Sequence, residues 1–136
     1  MPNRTLQELL ADGFKLKSAL RPAMERLQPD VDYEAISNPT VWGLVCNEVL
    51  DTVDSDQYYE RVIAELYRRG IKKTEINTMI DYVWATAGWL NFVGLLWEWT
   101  SMNETHNRRA IELQLEQGYI EQSEAMLLTD FLNRYE

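Results

Sequence analysis

Cysteine and histidine are almost missing from this chain: there is one of each, Cys46 and His106, in 136 residues. A single cysteine rules out a disulfide within the chain, and its apolar setting after Leu44 and Val45 reads as a small buried hydrophobe in a reducing compartment. A closed zinc site would need two carboxylate ligands beside Cys46 and His106, and a di-iron helical site needs two Glu-x-x-His sequences. Neither metal centre is expected, nor any cofactor. His106 reads as a helix-surface residue near a polar turn.

Basic residues are also scarce. Thirteen Lys and Arg face 22 Asp and Glu, a formal charge of -9, which repels phosphate backbones and anionic lipid and favours basic partners. Direct nucleic-acid binding is not expected. Six glycines and four prolines are scattered, with no Gly/Ser linker or low-complexity tract, so residues 1–136 read as one domain. The N-terminus has no positively charged lead into an apolar stretch of about 7 to 15 residues, so no secretory signal is expected and the location reads as cytoplasmic.

No segment has the alternating, β-branched pattern of a strand, and helical periodicity runs throughout. A first helix is expected from about Thr5 to Leu20, weak at Gly13 and restarted or kinked at Pro22 before Pro29 stops it. Asn38, Pro39 and Thr40 form a start signal for a long helix carrying Trp42, Val45, Cys46, Val49, Leu50 and Val53. A third closes at Arg68, Arg69 and Gly70, and others end near Gly118 and Tyr135. The expectation is an all-α, single-domain bundle of five or six helices around a Trp-rich central helix.

That central helix opens at Thr74 and Glu75 and runs into Trp84, Trp89, Trp97 and Trp99. Its uncharged part, Tyr82 to Trp97, has 16 residues and reaches about 24 Å as a helix, short of the roughly 30 Å of a bilayer core. Acidic Asp81 and Glu98 flank it, so a buried helix is expected rather than a membrane span. Gly88 and Gly94 are candidate break points, each costing about 1 kcal/mol relative to alanine. Gly88, Asn91 and Gly94 share one stripe, which either packs inside the domain or forms a homodimer contact.

No nucleophile elbow, phosphate-cradling glycine loop or calcium loop survives inspection. The Asp30–Glu34 segment has Ala35 and Val41 where a calcium loop needs glycine and glutamate. No catalytic constellation is found, and the chain is not expected to be an enzyme. What remains is a protein–protein interaction module, homodimeric, with aromatic anchors at Tyr58, Tyr59, Trp97 and Trp99 and an acidic surround at Asp51, Asp54 and Asp56 that attracts a basic protein. Between Leu27 and Glu60 the chain has no lysine or arginine. That run supports an alternative: an acidic inhibitor of the viral or mobile-element anti-defence type, occupying the nucleic-acid-binding groove of a basic protein.

Overall fold

The structure, a computed structural model, describes residues 4–38, 40–50, 54–94 and 101–136. These are helical without a strand among them: α1 Leu6–Ala11, α2 Leu20–Arg26, α3 Val41–Val45, α4 Asp56–Arg68, α5 Lys73–Val83, α6 Glu104–Glu116 and α7 Gln122–Asn133. A 3-10 turn, Cys46–Val49, extends α3, and a π-helix, Trp84–Val93, extends α5. The all-α reading holds. Among the described residues no helix is long and apolar enough to cross a membrane.

α1 begins at a reciprocal cap in which the Glu8 N–H donates to Thr5 Oγ1 and the Thr5 N–H to Glu8 Oε1. It ends well short of the expected Leu20. Gly13 lies so close to the π-helix that a Cβ there would sit 2.7 Å from Ala85 Cβ, so the chain leaves the helical path to pass that contact. Pro22 falls in the first turn of α2, the place where a missing N–H costs nothing.

α3 starts two residues later than an Asn38 cap would set it: Thr40 is the cap, the Gly43 N–H donating to Thr40 Oγ1 at 2.9 Å. The long helix expected through Val53 does not follow. The Asn47 amide donates to the carbonyls of Gly43 and Leu44, competing with the main-chain ladder, and the helix tightens into its 3-10 turn before Leu50 turns extended. α4 is capped by Ser55 and closes at Gly70, whose φ of +86° only glycine adopts readily.

The central helix does not stop at Gly88; it widens. Thr86 Oγ1 lies 2.8 Å from Tyr82 O, engaging the carbonyl that an α ladder would use, and Gly94 closes the segment through an N–H to Trp89 O bond five residues back. Gly88 has no room for a side chain, since a Cβ would meet Trp84 Cε3 at 2.8 Å and Val49 Cγ1 at 3.0 Å. α6 lies along the π-helix and α7 packs back on α6.

The middle of the core is an aromatic cluster where α3, α5 and α7 meet. Trp42 and Tyr82 are fully buried with ring centres 4.9 Å apart, and Phe131 packs on both at 5.9 and 5.0 Å. Their polar atoms are met, Trp42 Nε1 donating to Leu132 O at 2.9 Å and the Tyr82 hydroxyl to Leu128 O at 2.7 Å. Trp84 is also buried, whereas Trp89 is half-buried. Trp97 and Trp99 lie outside the described residues, as do Pro39, Asp51 and Val53.

Candidate functional site

An open groove of about 660 Å³ runs between α2, the start of α4 and the π-helix. Its apolar walls are Leu16, Pro22, Leu50, Tyr59, Trp84 and Phe92, and Lys17, Arg26 and Asp56 also line it. Trp84 and Phe92 stack with ring centres 6.1 Å apart, and Phe14 lies beside both. The segment that escaped the first helix supplies one wall: Leu16 stands 52% exposed there.

The wall also contains Glu48, only 4% exposed. Its Oε1 accepts the N–H groups of Ala19 and Leu20 at 2.9 and 2.8 Å, replacing the side-chain cap that α2 lacks. Its Oε2 accepts Trp84 Nε1–H at 2.7 Å, and the Ser18 hydroxyl lies close by. Burial pushes the Glu48 carboxyl above its ordinary range, against the pull of these donors.

Two other glutamates are nearly as buried and are handled differently. Glu65 is gripped by Arg68 and, at 3.0 Å, by Arg69; burial pushes its carboxyl up, but the bonds from Arg69, the Ile36 N–H and Arg68 outweigh it and hold it below its ordinary value. Glu124 is 2.8 Å from Arg4, and that hydrogen bond likewise holds it low against burial. Every donor to Glu48 is neutral.

The structure gathers some of the expected site residues and separates others. Tyr59 and Asp56 both line the groove, but Tyr59 is 5% exposed, with its hydroxyl accepting the Asp54 N–H, so it is a wall and not a protruding anchor. Tyr58 is half-buried, its hydroxyl donating to Asn47 Oδ1 at 3.3 Å and its ring beside Tyr59. Asp54 and Asp56 are exposed, and Asp56 lies 3.7 Å from Arg26. Asp51, Trp97 and Trp99 fall outside the described residues.

The homodimer stripe needs correction. Asn91 is fully buried and its Nδ2 donates to Val49 O at 2.8 Å, while Gly88 is buried against Trp84 and Val49; only Gly94 is exposed. Small residues here admit the chain's own backbone, so at Gly88 and Asn91 the stripe packs inside the domain.

The acidic run needs correction as well. Glu48 is buried, Glu34 lies 3.9 Å from Arg61, and Glu60 lies 3.0 Å from Arg26. Further along α4, Arg68 donates to Tyr33 O, and Arg69 donates to Ile36 O and Asn38 O at 3.1 and 2.7 Å. A segment without a basic residue of its own is thus pinned by arginines from elsewhere. Asp30, Asp32, Glu34, Asp54 and Asp56 remain exposed.

Cys46 is fully buried, and burial pushes its thiol up to about 12, which leaves it unreactive as a thiolate nucleophile. His106 caps α6, its Nδ1 accepting the Asn103 N–H at 3.0 Å. Among the described residues no cluster of three or more His, Cys, Asp or Glu side chains could hold a metal ion.

Glu48 is the residue that sequence reasoning misplaced. It lies in the Leu27–Glu60 stretch that has no basic residue, yet it follows Leu44 by four residues and Val45 by three, both fully buried, so helical spacing puts it on the apolar side. The class these features define is an all-α domain with an aromatic-walled groove. Set against family models, curated proteins and solved structures, the chain matches none of them.

Proposed function

We propose that this chain is a protein-binding module, built as a single bundle around the Trp84-bearing central helix, whose groove receives an apolar projection from a basic partner. The observation that carries the reading is the groove itself: open and aromatic-walled, with Asp56 in its lining and the Asp54 N–H bonded to the hydroxyl of the wall residue Tyr59. Its volume is within the range of roughly 300 to 1,000 Å³ in which specific guests are held, and tryptophan and tyrosine walls are the surfaces on which binding energy concentrates. Binding rather than catalysis fits a site whose one buried acid is held in a fixed position by helix N–H groups and by Trp84.

A homodimer is not part of the proposal, since the stripe that suggested it is occupied by the chain's own helices. Nucleic-acid mimicry has less to stand on than the charge run implied, because Glu34, Asp56 and Glu60 are ion-paired and Glu48 is buried.

Affinity capture from the native host, with identification of what is retained, tests the reading. Leu16→Asp, at an exposed groove position, should abolish capture while leaving the helical signal intact. Undiminished capture by that variant would place the binding surface elsewhere.

A further inference from the structure

Three buried glutamates divide two to one. Glu65 and Glu124 each have an arginine against them, whereas Glu48 is met by neutral donors: the N–H groups of Ala19 and Leu20, the Trp84 indole and the Ser18 hydroxyl. A carboxylate removed from water without a cation bears most of its desolvation cost uncompensated, even when hydrogen bonds satisfy its oxygens. Here that carboxylate is in the wall of an open groove that Trp84, Tyr59 and Phe92 also line, and aromatic rings attract cations through their quadrupoles.

The geometry also selects among cations. Both oxygens of Glu48 already accept bonds, so the two-pronged fit of a guanidinium to a free carboxylate is not available. A compact ammonium on a flexible alkyl stem needs only a point contact, and its methylenes suit apolar walls. Among the groove's own cations, Arg26 is held by Glu60 at 3.0 Å and Asp56 at 3.7 Å. Lys17 is exposed.

Resting on the docking reading above, we infer that the groove takes a lysine side chain of the partner protein, its ammonium meeting Glu48 and its stem lying between Trp84, Phe92 and Tyr59. The net charge of -9 draws basic surfaces toward it, and Glu48 then selects the side chain that enters. Lys17 sets the limit on the guest, because an anionic head would be drawn to the rim and away from Glu48.

Three probes of six carbons each test this on the intact chain: n-hexylammonium, n-hexanol and n-hexanoate, each titrated while the Trp84 indole N–H resonance is followed by NMR. The ammonium should shift that resonance saturably and bind at least about tenfold tighter than the alcohol, the step expected of one charge-assisted hydrogen bond, with hexanoate the weakest. Glu48→Gln should bring ammonium and alcohol together, and Lys17→Ala should leave the ammonium's advantage in place. Equal binding of ammonium and alcohol, tightest binding by hexanoate, or no shift with any probe would each overturn the inference. If Glu48→Gln fails to fold, the ranking of the three probes on the natural chain decides alone. Loss of the ammonium preference with Leu16→Asp still abolishing capture would sink the lysine inference and spare the docking reading; retained capture by Leu16→Asp would sink the docking reading itself.

Discussion

The indole Nε1–H of Trp84 donates to Glu48 Oε2 at 2.7 Å, joining two residues 36 positions apart in a contact shut off from water. Through that bond the first residue of the π-helix is tied to the carboxylate that also caps α2. One side chain therefore fixes the relative placement of two groove walls. It does so as an acceptor, with N–H donors on both oxygens, so a proton on either oxygen would compete with one of these bonds.

Glu48→Ala is accordingly expected to be among the more damaging single changes. It leaves the N–H groups of Ala19 and Leu20 and the Trp84 indole without their acceptor, at a cost of roughly 2 to 4 kcal/mol. Urea unfolding of the variant would measure it, and a loss under about 0.5 kcal/mol, the scale of an ordinary surface change, would show that the bonds carry little net stability.

Stability should depend on pH with two opposing trends. Glu65 and Glu124 have carboxyls held below the ordinary 4.5 in the folded state, so their contribution is present above that value and is lost as pH falls below it. Glu48 is raised, so its contribution is complete below 4.5 and is lost as pH rises through its folded value. Glu124→Gln should cost roughly 2 kcal/mol at pH 7 and progressively less in acid, flattening the low-pH limb of a thermal-stability curve. An unchanged limb would remove Glu124 from the account.

Arg69→Ala should loosen the stretch between Tyr33 and Asn38 rather than the whole domain. Arg69 bonds Glu65 and the carbonyls of Ile36 and Asn38, and no helix or strand holds that stretch by itself. Amide exchange at the Ile36 N–H, which donates to Glu65 Oε1, should accelerate by about tenfold or more, while exchange in α7 stays as it was. Uniform acceleration would mean the clamp is part of the global fold.

Gly88→Ala sets helix propensity against space. Alanine gains about 1 kcal/mol in a helix interior, but the new Cβ would press on Trp84 Cε3 at 2.8 Å and Val49 Cγ1 at 3.0 Å. Overpacking of this kind costs roughly 1 to 3 kcal/mol, so a net loss is expected in chemical denaturation. A gain in stability would show that Trp84 and the π-helix shift easily, and would weaken the description of a preformed groove wall.

Helix class, the first helix's start at Thr5 and the turns at Gly70 and Gly118 were legible in the linear order of residues, whereas the cap of α3 falls on Thr40 and not on Asn38. Each depends on neighbours within about four positions, a range over which side-chain chemistry and backbone geometry determine one another. The groove was not legible, because its walls come from the stretch before α2, the 3-10 turn, α4 and the π-helix. The central tryptophans drew attention, yet the ring at the middle of the core is Trp42, placed there by α7 offering the carbonyl of Leu132.

Local chemistry in the chain alone determined that the domain is helical, acidic and poor in metal-binding and nucleophilic groups. Only the tertiary structure decided which charges count: it drew Glu48 out of the acidic run and into an aromatic wall, and it laid arginines of α4 along a segment that has none of its own. The reason is range. A helix is settled by contacts a few residues apart, whereas the field at a carboxylate is set by whatever the fold brings within a few ångströms, and for Glu48 the indole of Trp84 came from 36 residues away.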